Sequence, residues 1–321
     1  MSKLLLSACL LIACYYNSTS QVTWTVYNPS NSSIPSDEIN SIFIEDNDDL
    51  FMGTNGAGLV KFDGTTWTTY DTSNSGIPGN WITSVIGING GIWVGSNSSG
   101  LGYFSNNQWT VYNTGNSDVP SNHVLCLTED SNSHLWVGTS SGLAKYDNSN
   151  WTIYNSTNSN LTDDNIISVY VDSYNNKWVG AENCGVFKYN DTSWTHYCNT
   201  DTNIPAGNVS ALEMDNNDDL WVGISLGGTG GLLSYDQQSW ALFDSSNCDL
   251  PNNEVYSIKT EQNVNWIGTW NGLAKYDGNS WTIYNTDNSD LPGNIIRSIA
   301  IDNSGNKWIG TQGGGLAKLD D

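Results

Sequence analysis

The chain has 321 residues and contains 33 Asp and Glu against 10 Lys and Arg, which gives a formal net charge of −23. Such a charge repels nucleic-acid phosphates and anionic membrane surfaces, so it argues against both as partners. The 32 Gly and 15 Trp, together with many Asn and Ser, favour short strands and tight turns, and no helical period follows the first residues.

The N-terminus has the pattern of a secretory leader. Lys3 precedes an apolar run from Leu4 to Ala13 and a polar stretch that ends at Ser20. This order is typical of a signal peptide. We therefore predict a signal peptide at residues 1–20 and one domain at residues 21–321.

A second interpretation of the leader stays open. The run from Leu11 to Cys14 also resembles a bacterial lipobox, in which Cys14 would become a lipid anchor. The apolar run is too short to span a bilayer, and no later run exceeds it. The sequence predicts an extracytoplasmic bacterial protein, secreted, periplasmic or at the cell surface, without a membrane span.

Two ladders of aromatic residues repeat through the rest of the chain. A Trp followed by an aliphatic residue and Gly recurs every 42 to 45 residues, and a second Trp, mostly in a WTxY phrase, recurs every 41 to 46. The first ladder is Phe51, Trp93, Trp136, Trp178, Trp221, Trp266 and Trp308, and the second is Trp24, Trp67, Trp109, Trp151, Trp194, Trp240 and Trp281. Seven copies at this period predict an all-β, seven-bladed β-propeller. Because every blade needs the same wedge packing, both ladders are interpreted as packing residues.

Each copy predicts four short antiparallel strands, which make one blade. In the last copy the first three strands are predicted at Ile295–Ile301, Lys307–Thr311 and Gly315–Leu319, from β-branched runs and turn residues. The fourth strand of the preceding copy is Trp281–Tyr284, but the last copy has none. We predict that Val22–Tyr27 pairs with the last strand and closes the ring.

Positions that vary between copies are available for a site. Three such positions should lie around one mouth of the central channel. The residue that opens the first strand is Glu38, Trp81, His123, Asn165, Asn208, Glu254 and Ile295 in successive blades. Two positions later come Asn40, Thr83, Leu125, Ile167, Ser210, Tyr256 and Arg297, and the turn after the second strand contributes Asn55, Asn97, Ser140, Glu182, Ser225, Trp270 and Gln312.

These positions predict a binding site for a polar ligand such as an oligosaccharide or a peptide. Trp81 and Trp270 are the sharpest candidates, because they lie outside both ladders. The full set of candidate ligand-binding residues is Glu38, Trp81, His123, Glu182, Glu254, Trp270 and Arg297.

The sequence offers no clear catalytic set, and we predict a protein that is not an enzyme. His123, His134 and His196 lack metal-binding spacing, and no Gly-flanked nucleophilic Ser appears. Glu38 and Glu254 could form an acid/base pair, which keeps a lyase or hydrolase at the channel mouth as an alternative.

No cofactor or metal is predicted. The acidic turns Asp46–Asp49 and Asp215–Asp219 lack the spacing of a calcium loop and are interpreted as solvated turns, with weak calcium binding as the alternative. Cys184 and Cys198 are each seven residues from Asp191, so we predict a disulfide between them in an oxidising compartment. Cys126 is interpreted as a buried thiol, and the state of Cys248 is open.

The phrases from Trp266 to Asn294 and from Ile296 to Thr311 resemble the two-component regulator propeller repeat. The resemblance implies an extracellular sensor-type propeller that recognises a ligand, often a glycan fragment. We find no kinase, receiver or transmembrane segment in the sequence, so only ligand recognition is expected here. We predict a monomer, and docking to another cell-envelope protein is a third functional hypothesis.

Overall fold

The structure is a computed structural model that describes residues 22–183, 185–198 and 204–320. The predicted signal peptide lies outside the described residues. β1 (Thr23–Tyr27) precedes the first blade, which contains β2 (Ile39–Ile44), β3 (Leu50–Thr54), β4 (Leu59–Phe62) and β5 (Trp67–Tyr70). The second blade contains β6 (Ile82–Ile88), β7 (Gly91–Ser96), β8 (Leu101–Ser105) and β9 (Gln108–Tyr112). The third contains β10 (Val124–Glu129), β11 (Leu135–Thr139), β12 (Gly142–Tyr146) and β13 (Trp151–Tyr154).

The remaining blades follow the same plan. The fourth contains β14 (Ile166–Val171), β15 (Lys177–Ala181), β16 (Val186–Tyr189) and β17 (Trp194–Tyr197), and the fifth contains β18 (Asn208–Met214), β19 (Leu220–Ser225), β20 (Gly231–Tyr235) and β21 (Trp240–Phe243). The sixth contains β22 (Val255–Glu261), β23 (Val264–Thr269), β24 (Gly272–Tyr276) and β25 (Trp281–Tyr284). The seventh contains β26 (Ile296–Ile301), β27 (Lys307–Thr311) and β28 (Leu316–Asp320).

The strands form seven four-stranded antiparallel sheets arranged in a closed ring. In six sheets the strands are paired in chain order, and in the seventh the order is β26, β27, β28 and β1. The first strand of every blade contacts the first strand of the next, including β26 with β2. These first strands line a central channel. The predicted seven-bladed β-propeller is therefore confirmed, with blade strands within one residue of the predicted bounds in the last copy.

The ring closes through the N-terminal strand, as predicted. β1 pairs with β28 in an antiparallel register that runs from Thr23 opposite Asp320 to Tyr27 opposite Leu316. The Tyr27 ring lies 5.5 Å from the Trp67 ring and 6.0 Å from the Trp308 ring, measured between centroids. The strand from the start of the chain thus joins the packing between the last blade and the first.

The first Trp ladder fills the spaces between blades, which confirms its packing role. Trp178 is fully buried and packs against Val209 and Val222 of the next blade. The Gly two residues later is required by the same contact, because a Cβ at Gly180 would lie 2.4 Å from Cγ1 of Val209. The Trp-aliphatic-Gly motif therefore supplies both the wedge side chain and the room for the neighbouring sheet.

The second Trp ladder lies nearer the rim and is half-buried. Each of its indoles in blades one to six lies against an aromatic ring of the adjacent strand; Trp194, for example, lies 4.5 Å from Tyr189 between ring centroids. This position also fits packing, since the ring covers the outer side of the blade.

The acidic turn Asp215–Asp219 holds a buried indole. In the turn between β18 and β19, Asp215 accepts a hydrogen bond of 3.0 Å from the indole N–H of Trp221 and two more from the backbone N–H groups of Asn217 and Asp219. Within residues 22–183, 185–198 and 204–320, no three His, Cys, Asp or Glu side chains are grouped so that they could hold a metal ion. In the same part of the chain, no helix has the length and apolar character needed to cross a membrane.

Candidate functional site

A β-bulge in the first strand of each blade builds the lining of the channel. The pairing of the first and second strands skips one residue in every blade, for example between Ile39 and Ser41. The skipped residues are Asn40, Thr83, Leu125, Ile167, Ser210, Tyr256 and Arg297. A bulge leaves its extra residue outside the ladder and re-aims the side chain. All seven of these residues line a central cavity of about 540 Å³.

The other two sets of variable residues lie side by side at the mouth. The backbone N–H of Asn55 donates to the carbonyl of Glu38 (3.1 Å), and that of Trp270 donates to the carbonyl of Glu254 (3.0 Å). The same bond recurs in the second, third, fourth and seventh blades, while Asn208 and Ser225 are paired as strand residues in the fifth. The variable positions are therefore neighbours in all seven blades.

Bridges between blades join these neighbours into a continuous row. Glu38 of the first blade pairs with Gln312 of the seventh, and Asn55 pairs with Trp81 of the second. The Asn55 amide Nδ2 donates to the carboxylate Oε2 of Glu38. Three adjacent blades thus share one polar strip.

Arg297 extends the strip toward the sixth blade. Its Nε and Nη2 atoms donate to Oε1 of Gln312 at 3.0 and 2.5 Å. Its guanidinium carbon lies 4.5 Å from the centroid of the Tyr256 ring, and that ring is 6.2 Å from Trp270 between centroids. Burial raises the pKa of Tyr256, with Arg297 opposing and Glu254 adding to the shift.

We call the resulting row the mouth arc. It consists of Trp81, Asn55, Glu38, Gln312, Arg297, Tyr256 and Trp270. Trp81 and Trp270 end the arc and are each 47% exposed, whereas the Trp residues of the first ladder are at most 6% exposed. The two indoles that the sequence set apart from the ladders therefore present their rings to solvent.

The candidate residues divide between one cavity and its surroundings. Glu38, Trp81, His123 and Arg297 line a cavity of about 460 Å³ at the mouth. Trp270 lies at the other end of the arc, and Glu182 accepts a 2.6 Å hydrogen bond from the amide of Asn165 in the fourth blade. The Glu254 carboxylate accepts from the backbone N–H of Gly228, in the long turn of the fifth blade.

Three residues of the arc were not among the candidate binding residues, although their positions were recognised as variable. Asn55 and Gln312 orient the charged side chains of Glu38 and Arg297, and Tyr256 supports the guanidinium. The signal available for Tyr256 was an aromatic residue at a position that holds Asn, Thr, Leu, Ile, Ser or Arg in the other blades. The bonds of Asn55 and Gln312 join residues 17 and 15 positions apart in sequence, which the pairing of the first two strands of a blade brings together.

The two glutamates proposed as an acid/base pair have separate partners. Glu38 is bound to Asn55, while Glu254 is bound to Gly228. His123 and Glu38 both line the mouth cavity. His134, by contrast, bonds to Asp130 at 3.1 Å in a turn between β10 and β11, at the other end of the blade.

The cysteines have different settings. Cys126 lines the channel, and burial raises the pKa of its thiol to about 12, which disfavours the reactive thiolate. In the fourth blade Val186 lies opposite Tyr197, and Cys198 follows directly. Cys184 lies outside the described residues, so the disulfide between Cys184 and Cys198 stays a prediction. Burial also raises the pKa of Cys248.

The protein is therefore a seven-bladed β-propeller, and the mouth of its central channel forms a polar and aromatic recess on one face. Residues 118–141 match the family model described as a two component regulator propeller, which confirms the resemblance seen in the sequence. No curated protein matches the chain.

Solved structures share the fold at low sequence identity. The extracellular domain of BT3049 from B. thetaiotaomicron, assigned to a hybrid two component system, has 23% identity and a TM-score of 0.78 over 92% of this chain and 41% of that one. PorZ, a surface component of the type-IX secretion system of Porphyromonas gingivalis, has 18% identity and a TM-score of 0.71 over 89% and 46%.

An enzyme also shares the fold. A catalytically inactive virginiamycin B lyase from Staphylococcus aureus, with Quinupristin, has 15% identity and a TM-score of 0.75 over 94% of this chain and 100% of that one. By contrast, the chain spans less than half the length of the BT3049 domain and of PorZ.

Proposed function

We propose that this propeller recognises an oligosaccharide at the mouth arc and releases it unchanged. The observation that carries the proposal is the pair of exposed indoles, Trp81 and Trp270, at the two ends of a hydrogen-bonded polar row. Flat aromatic faces with a few oriented polar groups suit a ligand that has both apolar ring faces and hydroxyl groups.

The similar structures support an extracytoplasmic recognition role. BT3049 contributes an extracellular domain of a two component system, and PorZ is a bacterial surface component. We propose that this chain likewise acts outside the cytoplasm, as a monomer, after removal of residues 1–20 or lipidation at Cys14. Mass spectrometry of the exported protein tests this, since cleavage after Ser20 leaves Gln21 at the N-terminus and lipidation leaves a modified Cys14.

The binding proposal is tested with an oligosaccharide array and a double variant, Trp81→Ala/Trp270→Ala. We expect the wild type to bind a subset of the array and the double variant to lose at least about tenfold in affinity, since each exposed indole loses its contact with the ligand. Tyr174→Ala is the matched control, because Tyr174 is 72% exposed in a turn on the opposite face. Equal binding by the wild type and the double variant would contradict the site.

Two competing functions are outcomes of the same experiment. The lyase alternative draws on His123 and Glu38, which line one cavity and could exchange protons with a ligand. It predicts that bound oligosaccharide, or another substrate, is recovered with a broken bond. The docking hypothesis predicts that no array member binds and that an envelope protein contacts the mouth residues instead.

A further inference from the structure

Arg297 is the single arginine of the chain, in a protein whose net charge is −23. The lysines serve the blades. Lys61, Lys177, Lys259, Lys307 and Lys318 each pair with a carboxylate, and Lys145, Lys188 and Lys275 lie over Trp rings. Across the described ranges, Arg297 is the cation that lines the channel and the mouth cavity, and no carboxylate of those ranges pairs with it.

Neutral partners hold the guanidinium in place. Gln312 accepts two of its hydrogen bonds through a single oxygen, and the Tyr256 ring supports its face. A guanidinium fixed in this way keeps further N–H donors in a planar fork that matches a carboxylate. Charge-assisted bonds of this kind are roughly twice as strong as neutral ones. An arginine held only by neutral groups, in a recess of an acidic protein, is therefore arranged to receive an anion.

The flanking side chains restrict the class of anion. Trp81 and Trp270 offer exposed rings on either side of Arg297, which suits sugar rings adjacent to the charged unit. Glu38 and Glu254 also belong to the mouth, so a ligand with a carboxylate on every ring would meet repulsion. One negative charge, placed between neutral rings, fits the arrangement best.

We propose that Arg297 binds the carboxylate of a uronic acid, so that the mouth selects acidic oligosaccharides over neutral ones. This inference rests on the proposed recognition of an oligosaccharide at the mouth arc. Arg297 would then be the side chain that distinguishes acidic from neutral oligosaccharides.

The test uses matched disaccharides that differ by one group. Cellobiouronic acid and cellobiose differ by a carboxylate in place of a hydroxymethyl group, and corresponding pairs in the galacto and manno series extend the panel. Binding is measured by calorimetry at fixed ionic strength. We expect the wild type to prefer the acidic member of at least one pair by about tenfold or more, the factor given by one charge-assisted hydrogen bond.

Variants separate this inference from the proposed function. Arg297→Gln should remove the preference while weak binding of the neutral member persists, and Arg297→Lys should restore part of it. Trp81→Ala/Trp270→Ala should weaken both members alike. Thermal unfolding of each variant confirms that the fold is retained.

Three other results would contradict the proposal. A wild type that binds neutral members as tightly as acidic ones overturns the role of Arg297 and leaves oligosaccharide recognition standing. Binding to no member of the panel, when the array has a bound member, overturns the role of Arg297, and binding to neither panel nor array overturns both proposals. Peptides with a free C-terminal carboxylate and their amidated forms complete the panel, and Arg297-dependent binding of the peptides alone would overturn the sugar class.

Discussion

The buried indoles of the first Trp ladder each need a hydrogen-bond acceptor for the N–H group. Four of them find it in a turn of their own blade, where the Trp donates to an Asp six residues earlier. The pairs are Trp136 with Asp130, Trp178 with Asp172, Trp221 with Asp215 and Trp308 with Asp302, at 2.9 to 3.0 Å. These Asp residues therefore support the core, because a buried N–H group without an acceptor is costly.

Truncation of one ladder residue tests this packing. Trp178→Ala removes a fully buried ring from the space between the fourth and fifth blades, and we expect a loss of about 3 to 5 kcal/mol in the free energy of unfolding. Trp270→Ala is the control, because its ring is 47% exposed and should change stability by about 0.5 kcal/mol or less. Denaturant unfolding measures both, and equal losses would contradict the assignment of the two rings.

The acid stability of the protein follows from the same turns. Burial acts to raise the pKa of Asp130 and Asp302, but hydrogen bonds from indole, backbone and neighbouring side chains outweigh it and lower both pKa values below 3.8. Because the folded-state pKa is depressed, the stabilisation is complete above the unfolded pKa and is lost as pH falls through the folded pKa.

A double variant measures this contribution. We expect Asp130→Asn/Asp302→Asn to lower the Tm at neutral pH and to flatten the fall in Tm between about pH 5 and pH 3. Asp118→Asn/Asp290→Asn removes two exposed loop carboxylates and changes the net charge equally. A slope in the core variant as steep as that of the loop variant would contradict the role given to these turns.

At the scale of elements, the sequence predicted the blades because strand spacing and wedge packing repeat in every copy. It also predicted the closure by β1, since one copy lacked a strand and the other terminus supplied one. The bulges were missed. The residues at the bulges, such as Asn40 and Arg297, share no residue type that would mark a bulge. A register shift depends on how two strands pair, which the sequence of one strand does not show.

Deletion of the closing strand tests the ring. Removal of residues 22–28 exposes the backbone edge of β28 and removes the contacts of Tyr27 with Trp67 and Trp308. We expect a loss of at least about 3 kcal/mol from the buried aromatic side chains, together with self-association through the open edge.

The control is a chain that lacks only residues 1–21, which should unfold at the same temperature as the full mature protein and remain monomeric. Calorimetry and light scattering report the two properties. An unchanged Tm and a monomer after the longer deletion would show that β1 does not close the ring.

At the scale of the whole molecule, the ring sorts residues by their role. Positions that repeat lie between blades, and positions that vary gather at one mouth, where Trp81, Glu38, Arg297 and Trp270 come together from four blades. The differences between the seven copies predicted that the variable residues lie at this mouth. They could not predict which candidates share a cavity, because that depends on bonds such as Arg297 with Gln312 and on the bridge between Glu38 and Gln312.

Hydroxyl-radical footprinting with mass spectrometry tests whether a ligand binds at the mouth arc. Oxidation of Trp81, Trp270 and Tyr174 is measured in the free protein and with the tightest-binding oligosaccharide of the array. All three rings are exposed, but Tyr174 lies on the face opposite the mouth. We predict that the ligand protects Trp81 and Trp270 and leaves Tyr174 unchanged. Protection of Tyr174, with Trp81 and Trp270 oxidised as in the free protein, would contradict recognition at the mouth arc.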